Sequence, residues 1–66
     1  MPHYRCYCLA ADHEIVAVAK GTYPDDTAAI MWAEALLDLS EYRRCASIEV
    51  WRDADLVHRK LRRVDP

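Results

Sequence analysis

Glycine is nearly absent from this chain: Gly21 is the only one. A single glycine leaves no glycine-rich loop to wrap a phosphate, and with no serine-rich tract beside it the chain reads as free of linkers and disorder. No apolar run approaches the roughly 20 residues of a membrane-spanning helix. The first residues carry Arg5 and then alternate, so they lack the apolar centre of a secretory signal. A cytoplasmic protein is expected, with no membrane partner. Cysteines number three, an odd count that argues against a secreted disulfide scaffold, and no paired C-x₂₋₄-C spacing marks a zinc site. No Ser or Cys stands at a recognisable nucleophile turn, so no triad with His3, His13 or His58 follows from spacing.

What is present starts with a helix. Pro24 fixes the chain before it, and Asp25 or Asp26 can accept a bond from a backbone N–H left free in its first turn. No glycine or proline interrupts the run from Asp26 to Tyr42. At about 100° per residue, Ala29, Trp32, Ala33, Leu36, Leu39 and Ser40 share one face. The small alanines let the helix lie close to what it covers, while Trp32 and Leu36 fill the gaps.

Before the helix, residues 3–9 alternate with period two, with Tyr4, Cys6 and Cys8 toward the helix and His3, Arg5, Tyr7 and Leu9 away from it. Residues 15–20 form a second strand with Ala17 and Ala19 inward and Val16 and Val18 outward, ended by Gly21. After the helix, residues 45–52 form a third strand with Ala46, Ile48 and Val50 inward and Ser47, Glu49 and Trp51 outward. Residues 56–61 form a fourth, with Val57 and Leu61 toward the core. The fold class is therefore α+β, ββαββ: a four-stranded antiparallel sheet of order 2-1-3-4 with one helix packed on one face. All 66 residues make one domain, residues 1–66, with one thin core, since a chain this short buries only about 60% of its unfolded surface.

One helix covers one side of a sheet. Tyr7, Leu9, Val16, Val18, Trp51 and Leu56 are expected on the other side, interrupted by Arg5, Glu49 and His58. A contiguous apolar patch there points to association, most simply a two-fold homodimer, or to docking of another protein.

The chemistry-bearing residues have plainer accounts. Cys6 and Cys8 on one strand face lie about 7 Å apart, too far for a relaxed disulfide between them. A metal held by Cys6, Cys8 and Cys45 or a histidine is the sharper alternative, and buried structural thiols are the expectation. Asp25 and Asp26 read as helix caps rather than as a catalytic carboxylate pair. No catalytic residue, cofactor or metal ligand is assigned, and the chain reads as non-enzymatic.

Charge is uneven: residues 1–41 sum to −5 and residues 42–66 to +3, within a net −2. Arg59, Lys60, Arg62 and Arg63, with Arg43, Arg44 and Arg52, make a basic C-terminal region suited to weak single-stranded nucleic-acid binding, with Tyr7 and Trp51 as stacking platforms. The acidic overall balance and Glu49 beside Trp51 disfavour nucleic acid as a partner.

The opening Met-Pro-x-Tyr-x-x-Tyr, the helix "YPDDTAAIMWAEALL" and the end "SIEVWRDADLVHRKL" resemble small bacterial ββαββ proteins of unknown function. The resemblance spans nearly the whole chain and implies the fold. Its motifs are a cap, close-packing alanines and a strand pair, and no catalytic residue is carried over. Cys6 and Cys8 stand where such proteins are expected to have large apolar residues.

Overall fold

The computed structural model describes residues 1–62. Strands β1 (His3–Leu9) and β2 (Ile15–Thr22) form a hairpin, helix α1 (Asp26–Leu36) crosses over, and β3 (Ser47–Arg52) and β4 (Asp55–Leu61) form a second hairpin. The sheet order is β2-β1-β3-β4 and every neighbouring pair is antiparallel, as the hydrophobic pattern predicts.

The core lies between α1 and the inward faces of β1 and β3. Ala29 and Ala33 let the helix sit close over Tyr4, Cys6, Ile48 and Val50, all of them buried. Trp32 and Leu36 are only half-buried at the edge of this cluster, so the large residues that anchor the fold are Tyr4, Ile48 and Val50. Each such burial contributes roughly 1.5–3 kcal/mol. Trp32 packs on Tyr23 at 5.0 Å between ring centres, and Tyr23 on Tyr4 at 6.2 Å.

Of the two candidate caps, Asp25 accepts the bond from the Ala28 amide at 2.8 Å. Asp26 does another job. It accepts from the buried Tyr4 hydroxyl at 2.7 Å and from Arg52 at 2.8 Å, tying the helix start to β1 and β3. Burial first, and Asp26 second, push the Tyr4 hydroxyl above its usual pKa, and Asp26 raises that of Arg52. The phenol therefore stays a donor.

Four expectations need correction. The helix stops at Leu36 rather than Tyr42: the next amides reach back only three residues, and a 3-10 turn at Ser40–Tyr42 follows. Leu37 packs on the core, while Leu39 and Ser40 are exposed. Gly21 lies inside β2, opposite Tyr4, instead of ending the strand. A Cβ there would meet the Tyr23 ring at 2.7 Å, so close approach of that ring is what glycine permits. Leu61 faces away from the core and is 69% exposed, and His58 sits on the helix side. Both follow from a β-bulge that adds Val57 opposite β3 and reverses the alternation beyond it.

The cysteines also differ from expectation. Cys8 and Cys45 are joined by a disulfide, with Cα atoms 5.3 Å apart, while Cys6 is a buried free thiol. The bond clamps the segment after the helix onto the end of β1.

Candidate functional site

The register defines the helix-free face row by row. Arg5 lies between Lys20 and Trp51, with Leu56 beyond. Tyr7 lies between Val18 and Glu49, with Arg59 beyond. Leu9 lies between Ile15 and Ser47, with Leu61 beyond. A second bulge inserts Val16 between Ile15 and Ala17, which keeps Ile15 on this face.

All six residues expected here are therefore on or beside one surface, with unequal exposure. Val16, Val18 and Leu56 are 38%, 45% and 47% exposed, Tyr7 and Trp51 are half-buried, and Leu9 is already covered at 7%. Leu9 thus has little new surface to bury. Two residues escaped the sequence reading. Ile15, 54% exposed, looked inward by strict alternation, and Leu61 was set in the core. Both were displaced by bulges, and a bulge leaves no composition signal when its extra residue is valine.

The face is not purely apolar. Glu49 sits at its centre, accepts the Trp51 indole N–H at 3.1 Å and pairs with Arg59 at 3.8 Å. This fixes the Trp51 ring over the sheet. A shallow concavity of about 440 Å³ opens beside it, walled by Tyr7, Leu9, Ile15, Trp51, Arg5 and Glu49. Its walls are apolar apart from Arg5, Glu49 and Asp53, so the hollow suits an inserted apolar side chain.

The basic C-terminal region is largely consumed inside the fold. Lys60 pairs with Glu34 at 3.4 Å, His58 with the same carboxylate at 3.1 Å, and Arg52 with Asp26. Arg62 donates to the carbonyl oxygens of Cys45, Leu37 and Tyr42 at 2.8–2.9 Å. Arg43 and Arg44 are exposed, and Arg63 lies outside the described residues.

The thiols are equally committed. Burial pushes the Cys6 thiol up to about 11, so it is protonated and inert at neutral pH. Among the described residues, no three histidine, cysteine or carboxylate side chains are grouped to hold a metal ion. No helix among them is long and apolar enough to cross a membrane. Comparison of the chain with models of known families, with curated proteins and with solved structures gave no match.

Proposed function

We propose that this chain is a non-catalytic interaction module that works as a homodimer, burying its helix-free sheet face against a second copy. The supporting observation is the exposed apolar set around Trp51: Val16, Val18, Ile15, Leu56 and Leu61 stand out of a face that no element of the described chain covers. Sheet-on-sheet packing across a two-fold axis would remove these side chains from water together. Arg59 and Glu49 would then lie at the seam and set its register. Another protein docking on the same face is the variant of this reading that a monomeric result would favour.

Sedimentation of the full chain at low micromolar concentration tests it. A species of twice 7.6 kDa is expected, falling to the monomer in Val18→Glu with the circular dichroism unchanged. A monomeric wild type at that concentration would sink the homodimer.

Single-stranded nucleic-acid binding is the second reading. It keeps Tyr7 and Trp51 as stacking surfaces, but Arg59, Lys60 and Arg62 are already engaged with Glu49, Glu34 and backbone carbonyls. A cytoplasmic, bacterial setting belongs to the proposal too, on the resemblance in sequence. The Cys8–Cys45 bond weighs against that setting, because reducing compartments keep such pairs open.

A further inference from the structure

At one end of the helix-free face, four polar side chains form a two-by-two array. Arg5 and Lys20 are directly opposed across β1 and β2, and His3 and Thr22 are the next opposed pair on the same side. All four are exposed, and they line a concavity of about 480 Å³ with Asp53 on its rim. Two cations held side by side on opposed strand positions, with Cβ atoms about 5 Å apart, repel each other. Among the described residues the ion pairs engage Arg52, His58, Arg59 and Lys60, and neither Arg5 nor Lys20. Arg5 is nevertheless held in place, since one Nη donates to the Asp53 carbonyl oxygen at 3.1 Å. That leaves the rest of its guanidinium edge free, on the strand position opposed to Lys20.

We infer that Arg5, Lys20, His3 and Thr22 form a binding site for a phosphate group, free or as the monoester end of a larger molecule. A tetrahedral oxyanion removes the repulsion between the two cations and accepts bonds from the guanidinium, the ammonium, the imidazole and the Thr22 hydroxyl at once. The Asp53 carboxylate is the one acidic group on the rim, and it disfavours more highly charged polyphosphates. Trp51 lies directly across from Arg5 on the other side, so the apolar part of a monoester would meet an aromatic ring. The site goes beyond the proposed dimer: its four polar residues are none of those assigned to the seam, and Trp51 alone borders both.

The test is an amide NMR titration of the ¹⁵N-labelled full chain with inorganic phosphate and, separately, with phenyl phosphate, each against sodium chloride at matched ionic strength. Saturable shifts at Arg5, Lys20, Gly21 and Thr22 that chloride does not reproduce are expected. The double variant Arg5→Gln, Lys20→Gln should weaken them by about tenfold or more, with the Ile48 and Val50 amides unmoved. Tighter binding of phenyl phosphate would identify a monoester as the ligand, and equal binding would identify the free ion. Shifts that do not saturate, that chloride matches, or that survive the double variant would overturn the site. Sedimentation keeps the two proposals apart: a dimer without the phosphate response sinks this inference alone, and the response in a monomer sinks only the dimer.

Discussion

Gly21 is held to its identity by a neighbour rather than by its own backbone. No glycine of the described chain has positive φ, and β2 passes through this position in regular register with Tyr4. The constraint is Tyr23, wedged between Tyr4 and Trp32, whose ring edge takes the space of a Cβ. Gly21→Ala should therefore destabilise the protein by about 1–3 kcal/mol, as overpacking does, although alanine suits a strand better than glycine. Thermal unfolding of Gly21→Ala beside Gly21→Ala, Tyr23→Ala decides it: relief in the double variant is expected, and a neutral single variant would refute the contact. His13 and Asp53 make the opposite case, since both turns place a non-glycine residue at positive φ. Only the local clusters of polar residues announced those turns in the sequence.

At the scale of elements, the helix end was the least legible part of the chain. Periodicity carries Ala29, Ala33 and Leu36 onto one face and would continue to Leu39, yet α1 stops at Leu36. What ends it comes from 25 positions away: Arg62 donates to the Leu37 carbonyl and, in the same reach, to those of Tyr42 and Cys45. A distant guanidinium that satisfies three carbonyls is invisible to any local pattern, and the same side chain read by composition alone looked like part of a nucleic-acid patch. Arg62→Gln should cost about 2 kcal/mol, in the range for hydrogen bonds to a charged group, and should loosen residues 37–46 first. Amide exchange confined to that segment is the expected signature; uniform loss of protection would mean Arg62 supports the whole fold. Strand faces were readable wherever alternation held, as for Tyr4, Cys6 and Cys8 or Ile48 and Val50. They were misread where a bulge intervened, at Ile15, His58 and Leu61, because a one-residue slip reverses every later side chain. The candidate interface was legible to the same extent, six of its apolar members by alternation and two lost to bulges.

For the whole molecule, the Cys8–Cys45 bond closes a loop over a sequence separation of 37. Loop-closure entropy gives such a bond about 3–4 kcal/mol of stability, a large share for a domain this small. Denatured, unreduced protein should show one alkylatable thiol, that of Cys6, and the folded protein none at neutral pH, since that thiol is buried and protonated. Three thiols in protein taken directly from its cell would mean the bond is open there. Stability should also fall as pH rises from about 9 toward about 11, where the unfolded chain ionises Cys6 and the folded one does not. A flat profile over that interval would remove Cys6 from the core. Sedimentation of the reduced protein then tells whether the bond matters to assembly, as β1 runs through the middle of the proposed seam.

The position of β1 in the middle of the sheet has a kinetic consequence. Its hairpin partner β2 follows at once, but its other edge is completed by β3, with Tyr4 waiting for Arg52 and Leu9 for Ser47. Through that interval a two-stranded ribbon, its valines and tyrosines uncovered, must survive with one flank bare. Folding should therefore be limited by a late, long-range docking event rather than by helix formation, and the half-made ribbon is the species from which self-association in the wrong register would begin.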